Sequence, residues 1–126
     1  MKIPTREEFQ SIIAEAEKAR AKAAKEAYDK LPPFVQQFPD MAGACGGARL
    51  ILSVDGRSEM GKFFKSLIED PIPNLQVWKT RIGFQLFVGQ PLGYQHEYVC
   101  NEAEQAALRV IESKLKVEGY VDSYLS

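Results

Sequence analysis

The sequence contains few of the residues on which metal centres and disulfide frameworks depend. Its 126 residues include one histidine and two cysteines, Cys45 and Cys100. One imidazole and two separated thiols cannot supply the four ligands of a structural zinc site. A domain of this length can bury enough apolar surface to fold without a metal or a disulfide. We therefore predict free thiols and no cofactor.

An excess of charge of either sign is also lacking, since 16 basic residues face 17 acidic ones and the formal net charge is −1. Proteins that bind long nucleic acids usually carry a basic excess, so no such partner is expected. No apolar run approaches the ~18 residues of a membrane span, and the polar N-terminal segment does not resemble a secretory signal. These features predict a cytoplasmic protein with no membrane partner.

The usual motifs of nucleotide enzymes are missing. There is no P-loop, and Cys45-Gly46-Gly47 precedes a predicted strand, whereas a dinucleotide fingerprint follows one. Glu69-Asp70 and Asp122 do not form a paired-carboxylate site. Cys100 with His96 is the remaining nucleophile–base candidate, but a free cysteine is more often a small buried apolar residue. The sequence therefore favours a binding protein over an enzyme.

Apolar residues recur at helical spacing near the N-terminus. Thr5 and Glu8 form a capping-box pattern, and Pro32-Pro33 ends the repeat, which predicts a helix over residues 6–31. The stripe consists of Phe9, Ile12, Ile13, Ala16, Ala23, Ala24, Ala27 and Leu31. Because its second half is almost all alanine, this helical arm could lie on the domain's own sheet, pack closely on another subunit, or be disordered.

The remaining chain alternates strand and helix patterns. Residues 32–44 form a proline-rich loop. A strand is expected over 48–54, a helix after Ser58, a hairpin from strands 75–79 and 84–88, a helix after Asn101 with Gly119 beyond its end, and a last strand over 120–125. This β-α-β-β-α-β order predicts an α+β, ferredoxin-like antiparallel sheet in which the last strand lies beside the first. We expect one domain over residues 1–126, with the helical arm at 6–31 and the α+β core at 45–126.

The first strand leads through Asp55-Gly56 into a helix, and this turn is a candidate anion site. Free N–H groups and the positive end of the helix dipole favour anions at a helix N-terminus. Ser58 is suited to cap the helix, and Arg57 and Lys62 add positive charge near its start. This arrangement predicts that the turn contacts phosphate.

Two further groups of residues have both a binding and a structural interpretation. Arg109 lies among small and apolar residues, which is costly unless it meets an anion or a carboxylate. It could contact phosphate, or it could pair with Glu102, Glu112 or Asp122. Several aromatic rings could stack on a base or fill the core: Trp78, Phe84, Phe87, Tyr94 and Tyr98.

From Cys45 onward the sequence resembles a family of small phage and prophage proteins. The family pattern has a Cys-Gly before an apolar strand, a glycine turn into a helix with Gly-Lys, a glycine hairpin, a glutamine loop and a Ser-x-hydrophobic end. The corresponding residues are Cys45-Gly46, Gly56-Arg57-Ser58, Gly61-Lys62, Gly83, Gln95, Asn101-Glu102-Ala103, Gly119 and Ser123-Tyr124-Leu125. Gly47 stands where an aromatic residue is usual, and Tyr124 stands where a basic residue is common.

This pattern is similar to that of the phage Thoeris inhibitors that sequester cyclic ADP-ribose signals. The resemblance implies that the protein binds glycocyclic ADP-ribose without cleaving it, with cyclic oligonucleotides as a further class of ligand, in dimers or assemblies of dimers. It would act in the host bacterial cytoplasm. The predicted ligand-binding residues are Arg57, Ser58, Lys62, Phe84, Phe87, Gln95, Arg109 and Ser123. The alternatives are an inhibitor that binds a host defence protein through the helical arm, and a nucleotide hydrolase that uses His96 and Cys100.

Overall fold

A computed structural model describes residues 3–33, 46–92 and 96–125. The predicted loop at 32–44 therefore lies largely outside the described residues. The described elements, in chain order, are α1 (Arg6–Asp29), β1 (Gly46–Leu52), α2 (Glu59–Glu69), β2 (Leu75–Lys79), β3 (Phe84–Val88), α3 (Glu97–Leu115) and β4 (Gly119–Leu125).

The four strands form one antiparallel sheet in the order β2-β3-β1-β4. The last strand therefore lies beside the first, as the β-α-β-β-α-β pattern predicts. The protein has an α+β fold with a long N-terminal helix followed by a ferredoxin-like split βαβ domain. β1 begins two residues earlier than expected, at Gly46.

Local sequence signals account for the starts of α1 and α2. The Thr5 hydroxyl accepts a hydrogen bond from the Glu8 N–H, and the Glu8 carboxylate accepts one from the Thr5 N–H, which completes the capping box. Ser58 caps α2 in the same way, accepting from the Gly61 N–H at 3.0 Å. Both predicted helix starts are confirmed.

The core lies between the helices and one face of the sheet. Alternation along the strands places Leu50, Leu52, Phe84 and Leu86 on this face, all of them buried. Phe9 of α1 packs edge-on against Phe63 and Phe64 of α2, and the Phe64 ring lies 5.4 Å from that of Phe84. These rings join α1, α2 and β3 in one apolar cluster.

The alanine stripe of α1 packs within the same chain. Ala24 and Ala27 are buried against Val99 and Ala103 of α3, while Phe9, Ile13 and Ala16 join the core above the sheet. Small side chains on both helices allow their backbones to approach closely. Of the interpretations considered for the helical arm, packing on its own domain is the one found in this structure.

The start of α3 differs from the prediction. The helix begins at Glu97, with His96 as its N-cap, and not after Asn101. The His96 ring nitrogen Nδ1 accepts a hydrogen bond from the Tyr98 N–H at 3.2 Å, so an imidazole takes the place of the usual hydroxyl or carboxylate cap. The helix ends at Leu115, where Lys116 adopts a left-handed conformation, and Gly119 opens β4.

None of the three described helices combines the length and the apolar character that a membrane-spanning helix requires.

Candidate functional site

In the turn that was predicted to bind an anion, side chains of the turn itself occupy the hydrogen-bond donors. The Asp55 carboxylate accepts a hydrogen bond from the Arg57 N–H at 2.8 Å, and its other oxygen lies 3.2 Å from Arg57 Nη2. These hydrogen bonds from Arg57 lower the pKa of Asp55. The carboxylate thus occupies the position at which an incoming anion would meet this N–H and this guanidinium.

The other donors and charges of the turn, those of Ser58, Gly61 and Lys62, also have partners within the turn or the first turn of α2. The Ser58 hydroxyl accepts from the Gly61 N–H and donates to the Asp55 carbonyl at 2.6 Å. Lys62 Nζ lies 3.5 Å from a Glu59 carboxylate oxygen. A Cβ on Gly61 would fall 2.1 Å from the Asp55 carbonyl oxygen, so glycine is required for this close approach. In the Gly-Lys motif, Gly61 therefore serves the packing of the turn.

A cavity of about 590 Å³ adjoins the turn, but its charges do not favour an anion. Asp55, Glu59 and Glu118 line it together with a single described cation, Lys116. Carboxylates outnumber the ammonium group, which makes the approach of a phosphate electrostatically unfavourable. The phosphate contacts expected of Arg57, Ser58 and Lys62 remain predictions.

The other predicted site residues are spread over the core, α3 and β4. Phe84 is 0% exposed in the core and leaves no ring face for a base. Arg109 is exposed on α3. Ser123 lies on β4 opposite Ala48, at the far end of the sheet from the turn. Gln95 lies outside the described residues. Phe87 is half-buried and lines a groove that is described below.

Exposed aromatic side chains cluster on the sheet face opposite the core. One cross-strand row runs over all four strands and contains Trp78, Gln85, Ile51 and Tyr120. Trp78 is 44% exposed and Tyr120 is 39% exposed. Three strand spacings of about 4.8 Å place the backbones of Trp78 and Tyr120 roughly 14 Å apart. We call this surface, with Arg49 and Tyr124, the aromatic face.

The second part of the aromatic face is an arginine–tyrosine pair. The Arg49 guanidinium lies 4.9 Å from the centroid of the Tyr124 ring, and Tyr124 is 43% exposed. A cation over an aromatic ring presents a charge and a planar surface side by side. The cross-strand neighbour of Arg49 is Asp122, but the described residues contain no ion pair between their side chains within 4.0 Å.

Tyr124 covers Gly47 across the sheet. Gly47 and Tyr124 are partners in the β1–β4 register. A Cβ on Gly47 would lie 2.6 Å from the Tyr124 hydroxyl oxygen, so the tyrosine ring lies over the glycine. A side chain at position 47 would therefore have to displace the end of the Tyr124 side chain.

A groove of about 520 Å³ adjoins the aromatic face at the end of β2 and β3. Phe87 and the carboxamides of Asn74, Gln76 and Gln90 line it, with Leu75 and two prolines. Gln76 is the cross-strand partner of Phe87. We call this cavity the Phe87 groove.

Behind the groove is a buried ion pair that joins α1 to α3. Arg20 Nε donates to the Glu104 carboxylate at 2.7 Å, and Arg20 Nη1 donates to the Gln90 carbonyl at 2.8 Å. The same guanidinium lies 4.9 Å from the Phe87 ring centroid. Burial raises the pKa of Glu104, and the charge of Arg20 opposes that rise.

Sequence reasoning did not identify Arg20 or Glu104, although a signal was present. Arg20 falls in phase with the apolar stripe, between Ala16 and Ala24, and Glu104 adjoins Ala103 on the buried side of α3. Each of two helices thus carries a charged residue in phase with its apolar stripe, and the two charges are opposite. This pattern predicts that the two side chains meet in the interface between the helices.

Within the described residues, no group of three or more His, Cys, Asp or Glu side chains is arranged to hold a metal ion. The chain matches no protein-family model, no curated protein and no solved structure.

Proposed function

We propose that this protein binds a cyclic ADP-ribose signal and holds it without cleaving it, as a phage counter-defence protein in the host bacterial cytoplasm. The resemblance of the segment from Cys45 onward to Thoeris inhibitors suggests the ligand. Sequestration by mass action requires only affinity and abundance. Cyclic oligonucleotide ligands and assembly into dimers or larger oligomers belong to the same proposal.

The observation that carries the proposal is the aromatic face. Trp78, Tyr120 and Tyr124 present partly exposed rings on one sheet face, and Arg49 adds a guanidinium beside them. Aromatic rings stack on bases, and arginine binds phosphate through paired N–H groups. The span of roughly 14 Å between Trp78 and Tyr120 suits a ligand of nucleotide size.

The direct test is ligand recovery. The protein is incubated with cyclic ADP-ribose isomers, the free ligand is measured after ultrafiltration, and the retained fraction is then heated to denature the protein. We expect the free ligand to be depleted and then recovered intact. Lack of depletion would contradict binding, and recovery of a cleavage product would contradict sequestration and favour the hydrolase.

Two arginine variants decide which surface holds the ligand. We expect Arg49→Ala to weaken binding at least about tenfold, because a charged hydrogen bond to phosphate is lost. Arg109→Ala is the matched control, since it removes an exposed arginine from α3 and leaves the aromatic face intact. The reverse result would move the phosphate contact to the predicted Arg109 and would contradict a site on the aromatic face.

A further inference from the structure

We propose that the Phe87 groove binds a neutral nucleobase and prefers adenine to guanine. This inference rests on the proposed function, because it names the part of the nucleotide that the groove takes. It is argued from the size, the charge and the hydrogen-bonding groups of the groove.

The groove has the dimensions and the composition of a small-molecule site. Its volume of about 520 Å³ falls within the roughly 300–1,000 Å³ typical of such sites. An aromatic ring, aliphatic side chains and a few carboxamides line it, and this combination binds a planar ligand through contact area and orients it through hydrogen bonds. Among the described lining residues only Phe87 is aromatic.

The charges around the groove favour a neutral ligand. No Lys, Arg, Asp or Glu is among its described lining residues. Arg20 lies behind Phe87, but it is only 4% exposed, and its Nε and Nη1 donate to Glu104 and to the Gln90 carbonyl. A Cβ on Gly89 would lie 2.8 Å from Glu17 Cγ, so a further carboxylate side chain is close to this end of the groove. Among the described residues, a phosphate in the groove would find no exposed cation on the lining and one acidic neighbour.

The carboxamides of the groove match the edge of adenine. Gln90 Nε2 lies 3.4 Å from Asn74 Oδ1, a hydrogen bond at the long limit that a ligand can displace. Each of the two carboxamides then offers an N–H donor and a carbonyl acceptor, and Gln76 adds a further amide beside Phe87. The N6/N7 edge of adenine presents one donor and one acceptor, which a single Asn or Gln carboxamide reads with both of its groups. The N7/O6 edge of guanine presents two acceptors and is read by Arg or Lys, neither of which is among the described lining residues.

The test uses adenosine and guanosine, which carry no phosphate, titrated into the intact protein and followed by calorimetry or by equilibrium dialysis. We expect adenosine to bind at least about tenfold more tightly than guanosine, because one carboxamide pairs with both groups of the adenine N6/N7 edge but cannot do so with the two acceptors of the guanine N7/O6 edge. We expect Gln76→Ala to lower adenosine affinity about fivefold through a lost neutral hydrogen bond. Phe87→Leu should lower it at least about tenfold through lost stacking.

The matched control is Gln10→Ala, because Gln10 is an exposed glutamine on α1 that belongs neither to the groove nor to the aromatic face, and it should leave adenosine affinity unchanged. Circular dichroism verifies that each variant is folded, and the exposed Gln76 keeps the test valid if Phe87→Leu unfolds. Equal affinity of adenosine and guanosine, or an unchanged affinity in Gln76→Ala, would overturn the inference.

The two proposals fail separately. If a cyclic ADP-ribose isomer is depleted but neither Gln76→Ala nor Phe87→Leu weakens its binding, the groove inference is overturned and the proposed function stands. If adenosine binds with the expected dependence on the groove but no cyclic ADP-ribose isomer is depleted, the proposed function is contradicted and the adenine site is supported.

Discussion

Phe84 and Phe87 lie on the same strand but have different surroundings, and only part of this difference is predictable from the sequence. The two phenylalanines are an odd number of positions apart on β3, so strand alternation places them on opposite faces of the sheet. The sequence makes either ring a candidate for base stacking, and alternation shows that the two cannot stack on a base from the same side of the sheet. Which of the two faces the helices cover depends on packing with α1 and α2, and so only the structure assigns Phe84 to the core and Phe87 to the groove.

Gly47 and Gly61 both pack closely against other atoms, but they should respond differently to alanine. The Gly61 Cβ would meet the Asp55 carbonyl oxygen of the backbone, whereas the Gly47 Cβ would meet the end of the flexible, partly exposed Tyr124 side chain. We expect Gly61→Ala to lower the free energy of unfolding by about 2–3 kcal/mol. Gly47→Ala should change it by no more than about 0.5 kcal/mol.

Urea unfolding of the two variants beside the wild type measures this difference. Each variant is the control for the other, since both introduce the same methyl group at a glycine. If both variants lost a comparable amount of stability, the proposed difference would be contradicted, namely that Gly61 packs against rigid backbone and Gly47 against a side chain that can move.

At the scale of elements, the helices and strands were predictable because short-range signals define them. These signals depend only on residues that are neighbours in sequence. They are the Thr5–Glu8 capping box, the Ser58 cap and the helical spacing of Met60, Phe64 and Leu67. The start of α3 was missed because His96 is not a usual cap. Glu104 also stands three residues after Asn101, which is the spacing of a capping pair, but Arg20 holds its carboxylate. That contact is between α1 and α3 and has no local signature.

The packing of α1 on α3 predicts a sharp difference between two alanines of the same helix. Ala24 is buried beside Val99 and Ala103, whereas Ala21 is exposed. We expect Ala24→Leu to lower the free energy of unfolding by about 1–3 kcal/mol through overpacking. Ala21→Leu should change it by no more than about 0.5 kcal/mol. Thermal or urea unfolding measures both, and equal stability of the two variants would contradict the observed helix pairing.

For the whole molecule, the pH dependence of stability contains opposing contributions from two carboxylates. The pKa of Asp55 is lowered in the fold, so its contribution is present at neutral pH and is lost as the pH falls through that pKa. The pKa of Glu104 is raised above its ordinary value of 4.5, so its contribution is present below 4.5 and is lost as the pH rises through the folded-state pKa. The buried pair thus costs stability when ionised.

Glu104→Gln separates these contributions. The glutamine mimics the protonated carboxyl group and cannot ionise, so we expect the stability of the variant relative to the wild type to increase between about pH 4 and about pH 7. Urea unfolding at both pH values measures the change. Asp55→Asn is the control and should shift in the opposite direction. A stability difference between Glu104→Gln and the wild type that is independent of pH would contradict the raised pKa of Glu104.

At this scale the strand order was predictable because the β-α-β-β-α-β pattern admits few arrangements. The candidate site was not. Arg49 and Tyr124 are joined by the β1–β4 register, and Phe87 meets Arg20 only because α1 packs beside β3. Contacts between residues far apart in the chain, and not the residue types alone, form the aromatic face and the groove.

The Arg20–Glu104 ion pair also has a consequence for biosynthesis. Its two residues are separated by 84 positions, and the C-terminal half of α1 packs on α3, which precedes the final strand. During translation α1 is made first but cannot bury its alanine stripe or pair Arg20 until α3 has left the ribosome. The native core should therefore form only once nearly the whole chain has been synthesised, and nascent chains that end before α3 should remain sensitive to protease.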